Sequence, residues 1–172
     1  MFIRSTLGCW VALMFVFAGG HAGAQSSDNK AISAAGACTD LDFMAGHWRV
    51  HGSAGGPIDA RLRVEISQGH CYATQYWERK GGHGICFIAY GNQQHDWAQS
   101  CGGFGSGERY RFSGGKLSGS EVRFAAEDMV GGVTRVLSVF NLPDGRVREL
   151  VKESSDGGKT WKTIDDVYWS RM

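Results

Sequence analysis

The sequence has little that would recruit nucleic acid or a membrane. Its 18 Lys and Arg residues are almost balanced by 17 Asp and Glu residues, whereas binding to phosphate backbones or anionic lipids requires clustered positive charge. The apolar run from Leu7 to Ala18 is too short to cross a hydrocarbon core of about 30 Å, and no later segment is long enough. We therefore expect neither a nucleic-acid partner nor a membrane span.

The signatures of common catalytic and metal sites are also missing. The chain has no Gly-x-Ser-x-Gly elbow, no His-Glu-x-x-His motif and no Cys-x-x-Cys pair, which argues against hydrolase and zinc chemistry. His47 and His51 lie four apart on a predicted strand and are separated by roughly 13 Å, too far to chelate one ion. Asp165 and Asp166 are adjacent, so a strand places them on opposite faces. No metal and no cofactor are expected.

The N-terminal segment has the three parts of a secretory signal peptide. Arg4 supplies positive charge, Leu7 to Ala18 is apolar, and Ala22-Gly23-Ala24 has the small-x-small pattern that a signal peptidase accepts. We predict cleavage after Ala24 and a periplasmic or secreted protein. The predicted organisation is a signal peptide over 1–24, a flexible tether over 25–37 and a single folded domain over 38–172.

Four cysteines remain once Cys9 is lost with the signal peptide, and in an exported protein they are expected to form two disulfides. Four cysteines allow three pairings. If the segments on either side of Gln93-Gln94 fold into a hairpin, Tyr90 lies opposite Trp97 and Cys86 lies opposite Cys101. We therefore favour Cys86–Cys101, and elimination leaves Cys38–Cys71.

Short alternating segments separated by turns predict an all-β domain. In one of them Leu62, Val64 and Ile66 share a face while the residues between them are charged. The chain has 26 Gly and only 2 Pro, and glycine-containing turns such as Ser113-Gly114-Gly115 separate the segments. A short helical turn is predicted within Thr39 to Met44. The predicted strands are His47–Gly52, Ala60–Ser67, Cys71–Arg79, Gly84–Tyr90, Asp96–Gly102, Glu108–Phe112, Ser120–Glu127, Thr134–Leu142, Arg146–Glu153 and Trp161–Ser170.

No helical segment is long enough to connect parallel strands, so neighbouring strands must pair antiparallel. About ten such strands remove their exposed edges by closing on themselves. We predict an up-and-down barrel, with a β-sandwich as the alternative. A barrel of this size can enclose a cavity for one small ligand.

Two stretches of the chain carry a resemblance to known proteins. The first runs from Leu41 to Val50 and contains Gly46-His47-Trp48, and the second runs from Gly145 to Trp161. Together with Gly69-His70-Cys71 they resemble a family of exported bacterial proteins with no agreed activity. That family looks calycin-like, as lipocalins and nitrobindin-like proteins are. The resemblance implies a barrel whose opening Trp lies across the closed end, and it supports the Cys38–Cys71 pair. Nitrobindins carry a haem-ligating His near the C-terminus, whereas no His follows His95 here.

The leading functional hypothesis is an exported barrel that binds a small hydrophobic or amphipathic molecule. Tryptophans would stack on the ligand, and inward-pointing Gln or Arg would orient it. The candidate ligand-binding residues are Trp48, Trp77, Trp97, Gln99 and Arg148.

Two alternatives come from other classes of protein. A cofactor-free barrel enzyme of the cyclase or isomerase type would need a carboxylate or His with a shifted pKa inside the cavity, and the first suspects are Glu149 and Asp96. A secreted protein-binding or inhibitor module would instead dock through exposed turns and an apolar surface patch.

The segment Ser154 to Trp161 matches the Asp-box pattern Ser-x-Asp-x-Gly-x-Thr-Trp that recurs in sialidases. Asp156 is expected to accept backbone N–H bonds across a turn whose glycines take positive φ angles. We interpret this single copy as a hairpin-stabilising device.

Overall fold

A computed structural model of the chain describes residues 38–53, 58, 60–103, 108–126 and 132–172. The predicted signal peptide and tether lie outside these residues. A single 3-10 turn, Asp42–Met44, precedes ten strands. The strands are β1 (Gly46–Gly52), β2 (Ala60–Ile66), β3 (Tyr72–Arg79), β4 (Gly82–Gly91), β5 (Asp96–Gly103), β6 (Glu108–Ser118), β7 (Glu121–Ala126), β8 (Thr134–Asn141), β9 (Val147–Ser154) and β10 (Lys162–Arg171).

The ten strands form one closed antiparallel barrel in which each strand pairs with its neighbours in sequence. The barrel closes where β1 pairs with β10, with Val50 opposite Trp169. The predicted up-and-down barrel is confirmed, and the β-sandwich alternative is wrong. The architecture is consistent with a calycin-like fold. No helix among the described residues is long and apolar enough to cross a membrane.

Alternation of buried and exposed residues, which is clear in β2, separates the core from the outer surface. In β2, Ala60, Leu62 and Val64 are buried, while Arg61 and Glu65 on the opposite face are exposed. This is the pattern of a sheet with one face on the core and the other in water. The barrel interior is therefore mostly apolar, and inward-facing polar side chains are exceptions that need an explanation.

The 3-10 turn plugs one end of the barrel. Trp48 is fully buried beneath it, and its indole Nε1 donates to the Met44 carbonyl oxygen at 2.8 Å. The ring centroid of Trp169 lies 6.1 Å from that of Trp48, and the Arg171 guanidinium lies 3.9 Å from the centre of the Trp48 ring. Arg171 also donates to the carbonyl oxygen of Ala45. The closed end is thus tied to both the first and the last strand.

The predicted turn at Ser113-Gly114-Gly115 is wrong. The segment is a β-bulge within β6, which continues to Ser118 before the chain turns. Gly114 takes a positive φ of 68°, and a Cβ on Gly115 would lie 2.3 Å from the Phe124 ring. Glycine therefore serves here to bend a strand and to admit an aromatic side chain from β7.

Both predicted disulfides are present. Cys38–Cys71 links the segment before the 3-10 turn to the residue before β3. Cys86–Cys101 bridges the directly opposed residues of β4 and β5, and Tyr90 lies opposite Trp97 in the same ladder. The cross-strand register predicted for this hairpin is therefore confirmed. Two disulfides are compatible with an extracytoplasmic protein.

The Asp-box segment forms the hairpin between β9 and β10. Asp156 Oδ1 accepts from the backbone N–H groups of Lys159 and Thr160 at 3.0 and 2.9 Å, and Oδ2 accepts from the Thr160 hydroxyl at 2.6 Å. Gly157 and Gly158 have positive φ angles. The same bonds hold the pKa of Asp156 well below its usual range. The predicted structural role of this motif is confirmed.

Replacing Asp156 with Ala is expected to loosen this hairpin locally. The amides of Lys159 and Thr160 lose their acceptor, so their hydrogen exchange should accelerate roughly tenfold or more, while core amides change little. Amide exchange followed by NMR measures the effect. Ser155→Ala, an exposed substitution in the same hairpin, is the control, and equal acceleration in both variants would contradict the role assigned to Asp156.

Candidate functional site

A cavity of about 290 Å³ lies inside the barrel, toward the end opposite the 3-10 turn. It is bounded by the C-terminal halves of β3, β5 and β9 and by the N-terminal parts of β4, β6, β8 and β10, since antiparallel pairing brings these ends together. This volume lies at the lower limit of the range typical of small-molecule sites. The cavity can therefore hold one small molecule.

Aromatic rings and a disulfide form the apolar wall of the cavity. Trp77 projects from β3, and Tyr110 and Phe112 project from β6. The Trp77 ring meets Trp169 edge to face at a centroid distance of 5.9 Å, which anchors it on the closed-end core. The Cys86–Cys101 bridge completes the wall. These are surfaces suited to the flat apolar part of a ligand.

Gln99 places an unsatisfied acceptor at this wall. The residue is 4% exposed, and its Nε2 donates to Cys101 Sγ at 3.2 Å. Its Oε1 is buried and has no hydrogen-bond partner. By contrast, Gln75 Oε1 accepts from Trp77 Nε1 at 3.2 Å. A buried polar atom without a partner costs roughly 1–3 kcal/mol, so Gln99 Oε1 is a place where a donor from a ligand would be stabilising.

Two carboxyl groups face the cavity from β9 and β10. Burial raises the pKa of Glu149 from its ordinary value of 4.5 to about 8, and the negative charge of Asp165 adds to the rise. The pKa of Asp165 is also raised by desolvation, although nearby Arg79 opposes that rise. Both residues line the cavity. Around neutral pH the Glu149 carboxyl is thus mostly protonated and can donate or accept a hydrogen bond.

Arg135 lies near the mouth of the cavity on β8. Its Nη2 is 3.5 Å from a carboxylate oxygen of Glu153, and its guanidinium is 5.9 Å from the centre of the Tyr110 ring. Its Nε is buried without a hydrogen-bond partner. The mouth therefore carries an ion pair and one unsatisfied donor.

The structure brings together two of the five predicted ligand-binding residues. Trp77 and Gln99 both line the cavity. Trp48 and Trp97 lie in the packed core, 0% and 1% exposed. Arg148 points to the outer face, where it forms a bidentate ion pair with Asp166 at 2.8 and 2.9 Å. A role in ligand binding for these residues stays a prediction.

Other cavity residues follow only in part from sequence patterns. Glu149, suspected as an acid–base group, lies in the cavity, whereas Asp96 lies at the β4–β5 turn opposite Gly91. Asp165 faces the cavity and Asp166 faces outward, as their adjacency predicts. Arg79 and Arg135 were not identified from the sequence. Arg79 ends the inward-facing alternation of β3 and Arg135 begins that of β8, which is the one signal that could have found them.

A larger concavity of about 590 Å³ lies on the outer face of β1 to β5. Arg63, which lines it, already pairs with Glu65 and lies 4.0 Å from the centre of the Tyr76 ring. None of the unsatisfied buried atoms found in the described ranges belongs to this surface. The interior cavity is therefore the stronger candidate site.

Within the described part of the chain, no three His, Cys, Asp or Glu side chains are grouped so that they could hold a metal ion. No protein-family model matches the chain, and a search of curated proteins found no match.

Proposed function

We propose that this protein is an exported barrel that binds one small amphipathic molecule in its interior cavity. The observation that carries the proposal is the buried Oε1 of Gln99, which has no hydrogen-bond partner although its residue lines a cavity with aromatic walls. A protein that only needed a stable core would gain stability by filling this space with apolar side chains. The cost is offset when a ligand supplies the missing donor and apolar surface.

Export is part of the same proposal. The segment 1–24 has the composition of a signal peptide, and disulfides such as Cys38–Cys71 persist in oxidising compartments. We further propose membership of the calycin-like family of exported bacterial proteins that the segments around Trp48 and Trp161 resemble. The closed barrel is compatible with this assignment.

Native mass spectrometry of the protein purified from an exporting host tests the binding function. A Val151→Phe variant adds a ring on the cavity wall, whereas Lys152→Phe adds the same ring at an exposed position next to it on β9. We expect wild type and Lys152→Phe to retain a small-molecule mass. Val151→Phe should lose at least about nine-tenths of it, since overfilling a site of this size leaves no room for the ligand.

Thermal unfolding of each variant provides the folding control. Retention of the same molecule by Val151→Phe would place it outside the cavity and contradict the proposal. A clean ligand-free mass for the wild type, combined with no thermal stabilisation by any member of a library of small amphipathic molecules, would also contradict it.

Glu149 favours a second candidate function, a cofactor-free acid–base enzyme. A cavity carboxyl with a pKa of about 8 can take and return a proton near neutral pH. If the retained molecule is a substrate, the protein should catalyse deuterium exchange from D2O into one of its C–H bonds. Glu149→Gln should slow that exchange by about a hundredfold or more. Binding without exchange would leave the protein a carrier and not an enzyme.

A further inference from the structure

We propose that the cavity selects a small aralkylamine, a primary alkyl amine that carries an aromatic ring, whose ammonium group lies between Glu149, Asp165 and Gln99 and whose ring packs against Trp77, Tyr110 and Phe112. This inference rests on the proposed binding function and specifies its ligand class. It follows from the surplus of hydrogen-bond acceptors on the cavity wall.

The acceptors come from three different strands. Gln99 on β5 uses its amide N–H on Cys101 and keeps its Oε1 free. Glu149 on β9 and Asp165 on β10 add two carboxyl groups to the same cavity. The buried Gln99 Oε1 has no hydrogen-bond partner, and such an acceptor remains costly until a donor arrives. A primary ammonium carries three N–H donors and a positive charge, so it supplies what these groups lack.

The charges already present leave Glu149 as the carboxyl without a counter-ion. The two arginines that line the cavity each interact with another carboxyl group. The charge of Arg79 on β3 lowers the pKa of Asp165, and Arg135 on β8 forms an ion pair with Glu153 on β9. In the described part of the chain, no cation and no hydrogen bond stabilises the ionised form of Glu149. Burial and the Asp165 charge therefore keep it protonated, a state that a bound ammonium would reverse.

The aromatic wall suits the same ligand. Trp77, Tyr110 and Phe112 offer ring faces and edges within a cavity of about 290 Å³, enough for one ring and a short side chain. Aromatic faces also attract cations. An amine thus matches both the polar and the apolar parts of the wall.

A carboxylate ligand is the principal competitor, because Arg135 Nε is an unsatisfied donor. However, the Arg135 charge is compensated by Glu153, and a carboxylate in the cavity would face the negative charge of Asp165. Like charges in a partly buried site are unfavourable. The geometry therefore favours an amine over an acid.

Isothermal titration of the protein purified from an exporting host, with three probes, tests this inference. The probes are 2-phenylethylamine, 2-phenylethanol and phenylacetate, which share a ring but carry a positive, a neutral and a negative polar group. We expect the amine to bind at least about tenfold more tightly than the other two at pH 7.5. Titrations in buffers of different ionisation enthalpy should show release of about three-quarters of a proton per amine at this pH, because a pKa of about 8 leaves about that fraction of Glu149 protonated before the amine binds.

Variants connect the result to the named groups. Glu149→Gln should weaken amine binding by about tenfold or more and abolish the proton release, while leaving 2-phenylethanol binding within about threefold. Glu65→Gln, an exposed substitution on the outer face, is the matched control and should change neither. Far-UV circular dichroism and thermal unfolding check that each variant is folded.

Tighter binding of phenylacetate or 2-phenylethanol than of the amine would overturn the inference but leave the binding function standing. Amine binding without proton release, or binding unaffected by Glu149→Gln, would overturn it as well. If none of the three probes binds, the ligand class is wrong. The broader binding function is judged separately, by the molecule retained in native mass spectrometry and its loss in Val151→Phe.

Discussion

The Glu149→Gln variant is expected to be more stable than the wild-type protein at pH 9 and about equally stable at pH 5. Burial raises the pKa of Glu149 from 4.5 to about 8 in the folded state. Between these values the folded protein holds a proton that the unfolded chain has released, so the wild-type free energy of unfolding falls by up to about 1.4 kcal/mol per pH unit. The loss is complete above pH 8, where it reaches on the order of 5 kcal/mol.

Urea denaturation across this pH range measures the effect, with the disulfides intact and the ionic strength constant. The difference between variant and wild type isolates the contribution of the Glu149 carboxyl, because it is the only titratable group that the substitution removes. Glu65→Gln, at an exposed position, should run parallel to wild type. If the difference in free energy of unfolding between Glu149→Gln and wild type is the same at pH 5 and pH 9, the carboxyl is well solvated. The proposed acid–base activity and the proposed amine selectivity would then both lose their basis.

Trp48→Ala is expected to cost about 3–5 kcal/mol of stability, the range for removing a large buried aromatic side chain. Trp48 is 0% exposed, packs against Trp169 and donates its indole N–H to Met44. Its loss also leaves the Arg171 guanidinium without the ring beneath it. The plug at the closed end therefore loses packing, a hydrogen bond and a cation–π contact together.

Urea denaturation followed by far-UV circular dichroism measures this cost without relying on tryptophan fluorescence. Trp161→Ala is the matched control, since this Trp is 39% exposed and its removal should cost only about 1 kcal/mol. Similar losses for the two variants would mean that the closed-end plug contributes little beyond ordinary surface contacts.

Local patterns were sufficient to predict the register of the β4–β5 hairpin. A short polar turn between two alternating segments leaves few ways to pair them, so Tyr90 had to face Trp97 and Cys86 had to face Cys101. The same logic separated Asp165 from Asp166, since neighbours on a strand point to opposite faces. The sequence was thus sufficient to predict register and side-chain facing where only one strand and its immediate neighbour determine them.

Features that depend on the closed barrel were harder to predict. The sequence Gly114-Gly115 is compatible with either a turn or a β-bulge. Which of the two forms depends on the Phe124 ring of β7, which packs against Gly115. Arg135 shares a cavity with Trp77 and Gln99 only because the closed barrel places β8 across the interior from β3 and β5. Trp48, Trp77 and Trp97 all lie on predicted strands, so the sequence does not distinguish them. Only the position of the 3-10 plug determines which of the three rings lines the cavity.

The seam between β1 and β10 has a consequence for how the chain folds. β10 comes after every other strand, yet it supplies Trp169 to the core and one whole ladder to β1. Until β10 arrives, β1 and β9 present unpaired edges, which are prone to aggregation. Because β10 follows the other nine strands in sequence, a nascent chain cannot close the barrel before β10 has been synthesised. We expect its yield in the cell to depend on holdase chaperones that keep the edges covered until the last strand is available.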